Sequence, residues 1–144
     1  MFSDVFDQGS LPARSEGVVI SGGTGMPSIW SAVGAIADLA RDDMPETVED
    51  AFRYGKLVLA APTYNGGVFP FMRTFIDHLT ERSYQNRKVA FIENGTWAPM
   101  AAKTMKGMFV GSKGIEFVEP VVTVRSALND ASRAQIAALA DALV

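Results

Sequence analysis

The chain has 144 residues, a net charge of −3 and no cysteine. The length suits a single domain, since domains most often run to roughly 100–150 residues, and 48% hydrophobic against 20% charged residues supplies a core and argues against a disordered or coiled-coil chain. The lack of cysteine excludes disulfides, iron–sulfur clusters and thiol catalysis, no run of Lys and Arg marks a nucleic-acid surface, and no apolar run approaches the roughly 20 residues that span a bilayer.

Residues 1–16 have no periodicity and read as an irregular lead-in; Asp4, Asp7 and Glu16, with no apolar stretch between them, do not make a secretory signal. The expected address is the reducing cytoplasm. From Gly17 onward the chain reads as one domain, 17–144.

The first strand is expected at 17–21 (GVVIS), and a weaker strand at 35–39 (AIADL). A helix follows at 45–53, opened by Pro45 and placing Val48, Ala51 and Phe52 on one face. The next strand is 56–61 (KLVLAA). Helical spacing returns over 71–82, where Phe71, Met72, Phe75, Ile76 and Leu79 make an apolar stripe. A strand at 88–92 (KVAFI) precedes a helix at 99–109 with Ala101, Ala102, Met105 and Met108 on one side. The β-branched run 120–124 (PVVTV) is the last strand, and Asn129 or Asp130 caps a final helix with Ile136, Leu139, Ala140 and Leu143 facing inward. The strand runs are short and continuously apolar, as strands buried on both faces are. Their alternation with helices calls for parallel βαβ units with right-handed crossovers.

In such sheets ligands sit beyond the carboxyl ends of the strands. Three loops there carry chemistry. Gly22-Gly23-Thr24-Gly25-Met26-Pro27-Ser28 follows the first strand; a glycine- and hydroxyl-rich turn at a helix start suits a phosphate, with Thr24, Gly25 and Ser28 as the binding residues. Pro62-Thr63-Tyr64-Asn65-Gly66-Gly67 and Glu93-Asn94-Gly95-Thr96-Trp97-Ala98-Pro99 each combine small residues, hydrogen-bonding groups and one large aromatic. Glycine lets backbone come close to a ligand and an aromatic face stacks on a planar heterocycle. Together these two loops describe a slot for an isoalloxazine ring. Read singly, Gly66-Gly67 is a turn signal and Trp97 a core residue.

The stretches Ala-Pro-Thr-Tyr-Asn-Gly-Gly at 61–67, Phe-Ile-Asp-His-Leu at 75–79 and Glu-Asn-Gly-Thr-Trp-Ala-Pro at 93–99 resemble the C-terminal flavodoxin-like domain of A-type (flavodiiron) flavoproteins. Asp38-Leu39-Ala40-Arg41 and Ser126-Ala127-Leu128-Asn129 extend the likeness over roughly residues 35–144. The resemblance implies a flavodoxin-like α/β three-layer sandwich with a five-stranded parallel sheet of order 2-1-3-4-5. It implies FMN as cofactor, with Pro62, Thr63, Tyr64, Asn65 and Gly66 on one side of the ring and Asn94, Gly95, Thr96 and Trp97 on the other. It also implies electron transfer, with no catalytic side chain, to a redox partner: a rubredoxin-like protein, a reductase or a separate diiron domain. Neither nucleic acid nor membrane is an expected partner, and apolar surface near residues 1–30 would suit a homodimer.

Two features depart from the family pattern. The 144 residues hold no counterpart of the diiron domain, and their single histidine, His78, reads as a helix residue rather than a metal ligand. Met26-Pro27 replace the usual residues of the flavodoxin phosphate loop, and the segment 28–35 leaves room only for a short or irregular first helix. Two other functions share the fold: an FMN-dependent NAD(P)H:quinone-type reductase, and a non-catalytic remnant that has lost FMN.

Overall fold

The computed structural model describes residues 17–21, 33–95, 98–125, 127 and 129–143, with 17–21 and 33–36 described as backbone alone. In chain order the elements are β1 (Gly17–Ser21), β2 (Val33–Asp38), α1 (Met44–Arg53), β3 (Lys56–Tyr64), β4 (Gly67–Val68), α2 (Pro70–Glu81), β5 (Arg87–Asn94), α3 (Ala101–Met108), β6 (Ile115–Val124) and α4 (Asp130–Leu143). The sheet runs β2-β1-β3-β5-β6, and the two-residue β4 folds back antiparallel onto β3. With β4 set aside, the order is the expected 2-1-3-4-5, and every pairing in it is parallel. The expected lead-in and residues 28–32 of the segment expected to hold a short first helix lie outside the described residues; 33–35 of that segment belong to β2.

The central strands explain why their sequences are apolar without alternation. Leu57, Leu59 and Ala61 of β3 and Val89 and Phe91 of β5 pack beneath α1, α2 and α3, with Met72, Phe75, Ile76, Leu79 and Met105. Val58 and Ala60 of β3 and Ala90 and Ile92 of β5 face the other way, onto Ile136, Leu139 and Leu143 of α4. Successive strand side chains point to opposite faces, so a strand covered on both sides must be apolar at every position. The result is three layers, helices on each face of the sheet.

Local chemistry fixes the helix ends. Asp43 caps α1, its Oδ2 accepting from the Glu46 N–H at 3.2 Å, with Pro45 in the first turn. Pro70 opens α2, which buries Met72, Phe75, Ile76 and Leu79. Phe71, expected on that stripe, is instead 45% exposed. At α4, Asn129 Oδ1 accepts from the Ser132 N–H and Ser132 Oγ accepts from the Asn129 N–H, both at 2.9 Å, a reciprocal capping box.

At the amino edge of the sheet Arg87 closes two crossovers at once. Its guanidinium donates to the Phe52 and Tyr54 carbonyls at 2.9 and 3.0 Å and to the Gln85 and Asn86 carbonyls at 2.9 and 3.3 Å. It also lies 5.6 Å from the centre of the Tyr84 ring. Tyr84 is buried with its ring edge-on to Phe52 at 5.2 Å. Among the described residues its hydroxyl finds no hydrogen-bond partner. Burial pushes the Tyr84 phenol well above its ordinary range, and the Arg87 charge pulls the other way.

Candidate functional site

The loops expected to form the slot leave the sheet side by side. In the β3–β5 register Pro62 pairs with Asn94, so Thr63 and Gly95 are the next positions along each chain. They meet closely: a Cβ added at Gly95 would stand 3.1 Å from Thr63 Oγ1 and 3.5 Å from Pro99 Cα. The Gly95 N–H donates to the Val124 carbonyl at 3.1 Å, bringing the end of β6 into the same corner. Glycine at 95 is therefore a matter of space, since a Cβ there would make the Thr63 hydroxyl give way by a few tenths of an ångström.

Past Thr63 the chain turns on Asn65 and Gly66, with φ of 47° and 72°. Two central residues with positive φ are the mark of the type I′ hairpin, for which Asn-Gly is the preferred pair. The register confirms the two-residue loop: Tyr64 pairs with Gly67 and Thr63 with Val68. The Asn-Gly signal was present in the sequence, but the hairpin itself was not expected. Its effect is to present Tyr64 at the rim, 48% exposed. The Tyr64 ring rests edge-on against Phe69 at 5.5 Å, and Phe69 against Phe71 at 5.4 Å. Asn65 and Gly66 are exposed, and nothing lies within 4 Å of a Cβ built at Gly66.

Thr63 faces inward. Its Oγ1 accepts from the Met100 and Ala101 N–H groups at 3.0 and 3.3 Å, so the hydroxyl holds the start of α3. The next amide of that helix, Ala102, donates to Glu93 Oε2 at 2.8 Å. Glu93 is 7% exposed, and its other oxygen accepts from Thr123 Oγ1 at 3.0 Å. The first N–H groups of α3 are thus satisfied by side chains from β3 and β5, without a capping side chain from the helix's own flank. Sequence reasoning assigned Glu93 no part; the available signal was a lone acidic residue at the end of an apolar strand.

Of the other expected site residues, Pro62, Asn94 and Gly95 are half-buried at the strand ends. Thr24, Gly25, Ser28, Thr96 and Trp97 lie outside the described residues. His78, on α2, is flanked by Arg82 at 3.3 Å and Glu81 at 3.9 Å. Among the described residues no cluster of three or more His, Cys, Asp or Glu could hold a metal, and no helix is long and apolar enough to cross a membrane. An open cleft of about 380 Å³ at the opposite, amino edge is lined by Lys56, Lys88, Arg87 and Glu116. The Arg87 guanidinium there is committed to backbone carbonyls, and Lys88 to Glu116 at 3.9 Å.

No family model and no curated protein sequence matches the chain. Solved structures do. The rubredoxin oxygen:oxidoreductase of the anaerobe Desulfovibrio gigas is similar over 92% of this chain and 36% of its own, at TM-score 0.76 and 13% identity. The flavodiiron core Flv1 of Synechocystis sp. PCC6803 is similar over 91% of this chain and 35% of its own, at TM-score 0.70 and 14% identity. Oxidised flavodoxin 1 of Bacillus cereus is similar over 90% and 97% of the two chains, at TM-score 0.69 and 13% identity. The chain therefore spans about a third of the first two proteins and nearly the whole of the third. Together with the sheet order and the helices on both faces, these likenesses establish that the chain has the flavodoxin-like fold.

Proposed function

We propose that this chain is the flavin domain of an A-type flavoprotein, binding FMN at the carboxyl edge of its sheet and passing electrons to or from a redox partner. The observation that carries the reading is the adjacent exit of β3 and β5, with Tyr64 left 48% exposed at the rim and Gly95 bare against Thr63. These residues fit a planar group. The Tyr64 ring is braced by Phe69, and the neighbouring turn has open space above Gly66. Solved structures that share the fold carry names such as flavodoxin, flavodiiron core and NADH:FMN oxidoreductase, which is the setting the proposal assumes.

On this reading Pro62, Thr63, Tyr64, Asn65 and Gly66 border one side of the ring, and Asn94, Gly95, Thr96 and Trp97 the other. Thr24, Gly25 and Ser28 receive the phosphate. Bound FMN supplies the redox chemistry. The chain's own residues stack on it, offer backbone N–H groups and exclude water, while the Thr63 hydroxyl keeps α3 in place. Residues 17–144 make the domain, 1–16 its lead-in. The partner is a rubredoxin-like protein, a reductase or a diiron domain on another chain.

Titration of the purified protein with FMN, read by visible absorbance, tests the proposal. The protein binds FMN, and Tyr64→Ala weakens binding about five- to tenfold, or roughly 1–1.4 kcal/mol of lost stacking. The urea midpoint of that variant stays put, because the side chain is half exposed. A protein that takes up no FMN ends the reading and leaves the non-catalytic remnant. An FMN-loaded chain that oxidises NAD(P)H unaided is instead a reductase of the quinone type.

A further inference from the structure

We infer that Glu93 is a positioning residue for the second cofactor loop, an inference that rests on the flavin reading above. Glu93 ends the buried part of β5, and the loop begins at the next residue but one. Its two carboxyl oxygens reach in different directions, Oε2 to the Ala102 N–H at 2.8 Å and Oε1 to Thr123 Oγ1 at 3.0 Å. One side chain therefore joins β5, the start of α3 and β6. The chain leaves β5 just after Glu93 and enters α3 where Glu93 holds the Ala102 N–H. Both ends of the loop between them are held a second time, by the Gly95 N–H on the Val124 carbonyl and by Thr63 on the Met100 and Ala101 N–H groups.

A buried carboxyl group is costly to keep unless its hydrogen bonds are made. At 7% exposure, with both oxygens occupied by neutral donors, Glu93 sits where an apolar residue would complete the α3 side of the core. The geometry accounts for its presence: it ties the end of β5 to the start of α3, and so anchors both ends of the second loop. Glutamine can reproduce this arrangement. Its carbonyl oxygen accepts from the Ala102 N–H, and its amide donates to Thr123 Oγ1. Alanine cannot.

The test titrates wild type, Glu93→Gln, Glu93→Ala and Thr123→Val with FMN, following quenching of flavin fluorescence and the shape of the visible band. Urea unfolding of each protein without FMN is run alongside. A positioning role gives Glu93→Gln an affinity within about threefold of wild type. Thr123→Val is weakened more than about threefold, and Glu93→Ala about tenfold or more, with its band moved toward that of free FMN. A residue that only supports the fold lowers the urea midpoint of Glu93→Ala and leaves the affinity of the folded protein unchanged. That result overturns the inference, as does a glutamine variant that fails like alanine. Should Glu93→Ala not fold, Thr123→Val decides, and unaltered affinity there overturns the role. A wild type that binds no FMN removes the flavin reading and this inference together, an outcome distinct from a wild type that binds while every variant matches it.

Discussion

Tyr84 is a residue whose ring serves the protein and whose hydroxyl does not. The ring fills space between Phe52 and Phe109, while the buried hydroxyl lacks a partner among the described residues. An unsatisfied buried hydroxyl costs about 1–3 kcal/mol, so its removal leaves packing intact and removes that cost. Tyr84→Phe is therefore expected to match or exceed wild-type stability at neutral pH by urea unfolding. The alkaline limb follows from the raised phenol pKa. The unfolded chain ionises this tyrosine from about pH 10 upward while the folded chain resists. The contribution of neutral Tyr84 is complete below pH ~10 and is lost as the pH climbs toward the folded value. Wild type should lose stability more steeply than Tyr84→Phe above pH ~10, and parallel curves would refute the assignment.

Among elements, the β3–β4 hairpin carries the sharpest expectation. Gly66 sits at φ 72° with nothing close to its missing side chain, so a substitution meets backbone strain and no steric clash. Gly66→Ala should cost about 1 kcal/mol, seen as a lower urea midpoint with an unchanged slope. Element boundaries also show what was readable in the sequence. Strands β3 and β5 were legible because both their faces are covered and their runs are unbroken. The edge strand β6 was read only as 120–124, since Ile115 to Glu119 hold one buried residue, Val118, among exposed and half-buried ones and Pro120 looks like a start. In fact β6 passes Pro120 at a register irregularity, advancing from Val118 to Val122 while β5 advances from Ala90 to Ile92. Helix α3 was expected from Pro99 and begins at Ala101, because its acceptors are Thr63, 38 residues before Ala101, and Glu93, nine before Ala102. A cap built by other strands leaves no local mark. Residues at the strand ends stand out in the sequence by their composition, whereas the inward turn of Thr63 needed the fold.

Taken whole, the molecule has unlike edges. The carboxyl edge combines glycines, a tight turn and an exposed aromatic rim, and the corner where β3, β5 and β6 end is tied to α3 by side chains. A ligand seated there stabilises the folded state by mass action, about 2.7 kcal/mol at a hundred times its dissociation constant. Excess FMN should therefore raise the thermal midpoint, by roughly 2–8 °C per kcal/mol of stabilisation for domains in the size range that includes this one. Riboflavin, which lacks the phosphate, should do less if Thr24, Gly25 and Ser28 receive that group. Equal shifts would remove the phosphate loop from the proposal.

The amino edge is built differently, and the Arg87 fork has a dynamic corollary. By gripping carbonyls at the end of α1 and just before β5, it ties together two chain segments that would otherwise fray separately. Their amide protons should then exchange with a common opening energy, as one cooperative foldon. Breathing that begins in either helix-to-strand junction is shared with the other.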